Sequence, residues 1–217
     1  MKSNRSTTNL PADFIIAGQN RVSDWQAFKG KLTVGGNAIL WEKAYSDYFR
    51  ARLWHRYLKP LRILQANGLR QGEGFSIVAI QCSLIEFLES TVQGKSYIYS
   101  RNGNPPVGQY EYSSSGLMFE SFLANRTPFN GEFTQQQPHD FYVNIRCGLL
   151  HEARTKNGWT IRARSKNGQI IDSNLKVVYR DNFQKALGKF VKWYKSELPS
   201  NVGLQEAFLR KFDSLCV

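Results

Sequence analysis

Arg146 and His151 stand five positions apart in FYVNIRCGLLHEART, the one segment of this chain whose residue types and spacing point to specific chemistry. A guanidinium keeps its charge at any physiological pH and offers fork-shaped donors that match phosphate oxygens. An imidazole titrates near neutrality, so it can take or give a proton at working pH. Together they suit in-line attack of a ribose 2′-hydroxyl on the adjacent phosphate. One group moves the proton and the other steadies the charge gathering on phosphorus. One acid–base group contributes about 10²–10⁴ in rate.

A helix has to carry this pair. At 100° per residue, Phe141, Ile145 and Leu149 share one face. Arg146 falls about 100° to one side of that face and His151 about 120° to the other. Val143, Cys147, Leu150 and Arg154 lie between them on the reverse side. A helix in a monomeric bundle needs only one buried stripe. The second apolar strip therefore calls for another helix or another subunit, and a two-fold axis across it would bring two Arg/His pairs to one cleft. The expected state is a homodimer.

The surrounding charge fits a polyanion. The 217 residues hold 29 Lys/Arg against 17 Asp/Glu, a net +12. Between Arg146 and Lys195 there are twelve basic residues and three acids. Arg154 and Lys156 follow the motif, and Lys185, Lys189 and Lys192 form a stripe on a later helix. Such patches track a nucleic-acid backbone; a solvated face is the alternative for each lysine. The three cysteines have no paired spacing, and Cys82 and Cys147 sit in apolar helical runs, which reads as small hydrophobes in a reducing compartment. No cofactor or metal motif is present: the three His are far apart in sequence and there is no Cys-x-x-Cys. MKSNRSTTNLPADF lacks the apolar centre of a secretory signal. The run Gly74 to Ile85 is shorter than the roughly 20 residues of a membrane span. The expectation is a soluble, cytoplasmic protein that does not engage a membrane.

Along the chain, residues 1–36 read as an irregular N-terminal segment and 37–217 as a single helical-bundle domain. Apolar periodicity predicts helices over 37–66 (interrupted at Pro60 and stopped by Asn67-Gly68), 74–92, 115–125, 138–155, 181–198 and 202–215. Lys166-Asn167-Gly168, between Trp159-Thr160-Ile161 and Ile170-Ile171, predicts a small β-hairpin before the penultimate helix, extended by 175–179. The fold class is mainly α, an antiparallel bundle with that hairpin inserted.

Arg146, four residues, then His151 on a long helix of a basic bundle resembles the Arg-x4-6-His signature of HEPN-domain (higher eukaryotes and prokaryotes nucleotide-binding) ribonucleases. The helix holding Ile85-Glu86-Phe87-Leu88 resembles that family's layout as well. The likeness covers roughly residues 37–215. It implies a HEPN-like bundle and a metal-independent endoribonuclease that works as a dimer and leaves 2′,3′-cyclic phosphates. It also implies a toxin or phage-defence effector, with an antitoxin or another defence-system protein as partner. Family members commonly carry Asn, Asp or His directly after the Arg, where this chain has Cys147.

The residues leave alternatives open. His151 at a helix C-terminus also suits a cation held by the macrodipole. Arg146 can pair with Glu152, Asp140 or an acid on another helix. Glu86, a carboxylate in an apolar helix, either pairs with Arg146 or another base, or supports the site, as Cys147 and Asn144 also would. A non-catalytic helical module that binds nucleic acid or a partner protein is the competing function.

Overall fold

The computed structural model describes residues 9–67, 72–101, 103–134 and 136–217; the start of the N-terminal segment and Gly68 of the expected helix stop lie outside them. In chain order the elements are β1 (Ile15–Ala17), β2 (Asn20–Arg21), α1 (Val22–Lys29), α2 (Ala38–Ala44), α3 (Ala51–Leu53), α4 (Lys59–Asn67), α5 (Glu73–Gln93), β3 (Ser96–Tyr97), β4 (Glu111–Tyr112), α6 (Ser115–Asn125), α7 (Gln137–Phe141), α8 (Gly148–Glu152), β5 (Thr160–Arg162), β6 (Ile171–Asp172), β7 (Val177–Tyr179), α9 (Arg180–Glu197) and α10 (Val202–Ser214). The protein is mainly helical with small sheets. Wide i→i+5 turns, Tyr45–Arg50, Trp54–Leu58 and Tyr142–Cys147, join α2 to α3, α3 to α4 and α7 to α8.

The chain divides into two compact units. The first contains the described residues up to Arg56 together with Ser90–Ser114 and Lys195–Val217. The second contains Tyr57–Glu89 and Ser115–Tyr194.

In the first unit, residues 15–29 correct the expectation of an irregular N-terminal segment. Ile15 to Arg21 make an antiparallel pair, and α1 follows directly. Their order comes from burial: Trp25 is fully buried, its ring 5.5 Å from Phe212 and 5.0 Å from Tyr48. The Trp25 indole N–H donates to Asp213 at 2.9 Å, which satisfies the one polar atom of the ring. Asn37 caps α2 by accepting from the Ile39 N–H, and Asn201 caps α10 by accepting from the Leu204 N–H. Gly94 at φ 64° ends α5, where a Cβ would stand 2.6 Å from the Ala207 Cα. Only glycine fits that combination of conformation and closeness.

Tyr48 gives this unit a pH signature. Burial, helped by the Asp24 and Asp47 carboxylates and by Cys216, pushes its phenol from 10.0 up to about 12. Above pH 10 the unfolded chain releases this proton while the folded chain keeps it. Stability from this group is therefore complete below pH 10 and lost as pH rises through about 12. Urea melts at pH 9, 10, 11 and 12 should show a shallower alkaline loss for Tyr48→Phe than for the wild type; parallel curves would contradict this assignment.

The second unit is built on phenylalanine. Phe119, Phe122, Phe129, Phe133, Phe141, Phe183 and Phe190 are all buried. Most of their rings meet edge-on or tilted, as at Phe122–Phe190 (4.8 Å) and Phe141–Phe183 (5.6 Å), while Phe119 and Phe141 stack at 5.9 Å; aromatic quadrupoles favour edge-on and offset arrangements. The expected β-hairpin around Lys166-Asn167-Gly168 does not form. The sheet order is β5-β7-β6, with β5 parallel and β6 antiparallel to β7. Val177, Val178 and Tyr179 are buried, so β7 takes the central place and separates β5 from β6. The tight turn falls instead at 173–176: Asp172 accepts from the Leu175 N–H and Lys176 takes φ 53°.

Helix α5 is longer and more apolar than the run Gly74 to Ile85 suggests. It is long and apolar enough to cross a membrane, yet more than half of its most apolar window is buried within the protein. Burial of that kind belongs to a core helix.

Candidate active site

All residues of the motif lie in the second unit. Pro138 opens α7, where a missing N–H costs nothing. The backbone runs on through the wide turn Tyr142–Cys147 into α8. Arg146 sits inside that turn, and insertions of this kind recur at functional sites. Phe141, Ile145 and Leu149 are buried, as their shared face requires. Ala153, at φ 52°, ends the helix earlier than the expected Thr155. The chain then folds back on the helix it has just left. The Lys156 N–H donates to the Asn144 carbonyl at 2.8 Å, and a Cβ on Gly148 would stand 2.5 Å from the Arg154 carbonyl oxygen. Glycine at position 148 is what permits this close return.

Arg146 is partly sheltered, its side chain 20% exposed. Glu86 of α5 places a carboxylate oxygen 3.9 Å from the guanidinium, one of the pairings the sequence leaves open. The other Glu86 oxygen accepts from the Ser115 hydroxyl at 2.9 Å, which fixes the carboxylate at the start of α6. The guanidinium carbon lies 5.4 Å from the centre of the Tyr142 ring, within cation–π range. Charge and ring together hold the cation in place. The 3.9 Å separation is too long for a hydrogen bond, so the fork of N–H donors is not consumed by the carboxylate.

Tyr142 responds to the same cluster. Burial pushes its phenol up; the Arg146 charge opposes this, while a hydrogen bond with Cys147 and the Glu86 charge add to it. Cys82 of α5 feels the same charge: it is buried, burial pushes its thiol up strongly, and Arg146 pulls the other way. Cys82 is therefore a neutral thiol at physiological pH and behaves as a small hydrophobe, as expected.

His151 is exposed on the last turn of α8, and no described residue hydrogen-bonds it. The described contacts of the Arg146 guanidinium are with Glu86 and Tyr142, not with the His151 imidazole. The second apolar strip of the helix is open: Val143 and Cys147 are half-buried and Leu150 is 50% exposed.

The remaining candidates separate into different surroundings. Asn144 is buried and accepts from the Asn157 amide at 2.8 Å, so it fastens the returning loop and does not join the Arg146 cluster. Glu152 draws both Arg154 (2.9 Å) and Lys156 (2.8 Å), and those two bonds hold its carboxyl below the usual range. The charge those two bases offer a ligand is accordingly reduced. Lys185, Lys189 and Lys192 are exposed along α9, and none has a carboxylate partner among the described residues. Three contributors escape the motif reading: Ser115, Tyr142 as the ring under Arg146, and Cys82, which feels the Arg146 charge. A cue exists only for Tyr142, four positions before Arg146 on the same helix.

No family model, no curated protein and no solved structure matches the chain.

Proposed function

We propose that the protein is a metal-independent endoribonuclease of HEPN type that works as a homodimer. The observation that carries this reading is Arg146, steadied by Glu86 and Tyr142 beside an open apolar strip that ends at an unencumbered His151. A second copy covering Val143, Cys147 and Leu150 would bring two such pairs to one cleft. In that cleft one His151 takes the proton from the ribose 2′-hydroxyl as its oxygen attacks phosphorus. Arg146 binds the non-bridging oxygens as charge accumulates there. The second His151 gives a proton to the departing 5′-oxygen. The products are a 2′,3′-cyclic phosphate and a 5′-hydroxyl, and neither proton transfer calls for a metal ion or cofactor.

The exposed Lys185, Lys189 and Lys192 supply a path for the RNA backbone, and Arg154 and Lys156 add a weaker one through Glu152. A HEPN-like bundle, a cytoplasmic location and a toxin or phage-defence role with an antitoxin partner belong to the same proposal, through the motif's resemblance to that family.

One observation favours the competing reading, a non-catalytic module that binds nucleic acid or a partner protein. Glu86 and Tyr142 would hold Arg146 equally well if its role were to tie α5 to the motif helix. End-labelled RNA incubated with the purified protein in EDTA distinguishes the two. Cleavage leaving cyclic phosphate ends is expected; RNA retained but intact over hours would favour the binding module.

A further inference from the structure

The first unit carries a surface that the nuclease reading does not use. Its β3 and β4 run parallel, with Tyr97 opposite Tyr112 and the two rings 5.6 Å apart. The ladder continues past the assigned strands: the Ser96 N–H donates to the Tyr110 carbonyl and the Ile98 N–H to that of Tyr112. Tyr99 follows β3 two positions after Tyr97, and Tyr110 lies in the turn that leads into β4, two positions before Tyr112. Four tyrosines thus gather at and beside a two-stranded sheet. Tyr97 is 52% exposed, Tyr99 71% and Tyr110 45%. Core tyrosines of the same unit, such as Tyr45 and Tyr48, are buried, whereas these three rings face outward.

Positive charge accompanies the rings. The Arg210 guanidinium lies 4.3 Å over the Tyr110 ring. Arg101 is exposed beyond Tyr99, and Lys95 is half-buried at the start of β3. The one acid within the ladder, Glu111, turns its carboxylate to the Gly108 N–H at 2.8 Å. Exposed rings beside fixed cations match a ligand that presents flat apolar faces along a chain of negative charge.

We propose that this tyrosine cluster is a stacking platform for single-stranded nucleic acid. Each exposed ring offers a base one flat face to stack on. Arg210 covers the Tyr110 ring with Glu206 3.8 Å from one of its terminal nitrogens, and the guanidinium, 31% exposed as a side chain, is the cation nearest a phosphate at this end. Paired bases keep their faces covered, so duplex is excluded. Binding here does not depend on cleavage by Arg146 and His151.

The probe is fluorescein-labelled oligo(dT) of twelve nucleotides, which lacks the 2′-hydroxyl and stays intact whatever the nuclease activity. Titrated with the full chain at low salt, it is expected to bind tightly and its duplex with oligo(dA) at least tenfold more weakly. Tyr97→Ala and Tyr99→Ala are each expected to weaken oligo(dT) about tenfold, in line with loss of one stacked base. Tyr97→Phe and Tyr99→Phe keep the ring and should bind within about threefold of wild type, which separates stacking from any loss of fold. Equal affinity for duplex, no effect of the alanine changes, or no binding of oligo(dT) at all would overturn the proposal. In the last case the tyrosines serve a protein partner. None of these outcomes bears on RNA cleavage, which is read in a separate assay.

Discussion

His151→Ala is expected to lower RNA cleavage by about 10²–10⁴ while leaving the melting temperature almost unchanged. The size of the effect follows from the loss of one general acid–base group. In a dimeric cleft both proton transfers would lose their imidazole, which places the result toward the upper end. The unchanged stability follows from the position. His151 is exposed on the last turn of α8, and no described residue hydrogen-bonds it, so nothing packed is lost with the ring. Its charged form at a helix C-terminus contributes at most about 0.3–1 kcal/mol. Initial rates on labelled RNA in EDTA, with a thermal melt of the same preparation, make the measurement. A His151→Ala protein that cuts at the wild-type rate would end the nuclease proposal, whatever Arg146→Ala does.

The second large effect concerns stability. Arg126→Ala is expected to destabilise the protein by about 3–5 kcal/mol, because it strips a buried carboxylate of its bidentate cation. Glu89 is fully buried in α5. It accepts from the Arg126 Nε at 2.8 Å, from the second guanidinium nitrogen at 2.9 Å, and from the Ser121 hydroxyl at 2.8 Å. Arg126 itself is 25% exposed, so the reverse change, Glu89→Ala, should cost less: the stranded guanidinium can reach water. Replacing both by Leu should recover much of the loss, since an apolar pair of similar volume often matches a buried ion pair. Urea melts of the three variants test the order; an Arg126→Ala cost under about 1 kcal/mol would mean that Glu89 finds another partner.

Periodic burial made most of the helices legible. The stripes of α5, α6, α9 and α10 are long enough that the expected and observed bounds agree to within one residue. Asn37 and Pro138 mark helix starts because capping and first-turn preferences are local chemistry. The same local signals misplaced the hairpin. Lys166-Asn167-Gly168 is a sound turn, but strand order depends on which residues the rest of the unit buries, and Val177 to Tyr179 win the centre. Residues 15–29 looked irregular because their apolar residues are few; Trp25 and Phe28 gain order from Tyr48, and Trp25 also from Phe208 and Phe212 of α10, nearly two hundred positions away.

The candidate site divides in the same way. By itself, the sequence determined that a permanent cation and a titratable ring lie five residues apart on one helix with two apolar faces, since side-chain chemistry and helical pitch are local properties. It also determined that Glu86, a carboxylate in an apolar helix, needed a partner. Only the tertiary structure decided that Arg146 supplies one, that Tyr142 lies under the guanidinium, that Asn144 turns away to hold a loop, and that His151 is left open. The physical reason is that a buried charge is satisfied by whichever opposite group packing brings near. Which groups come near depends on how distant helices cross and on the extra residue in the wide turn at Tyr142–Cys147, and no local pattern encodes either.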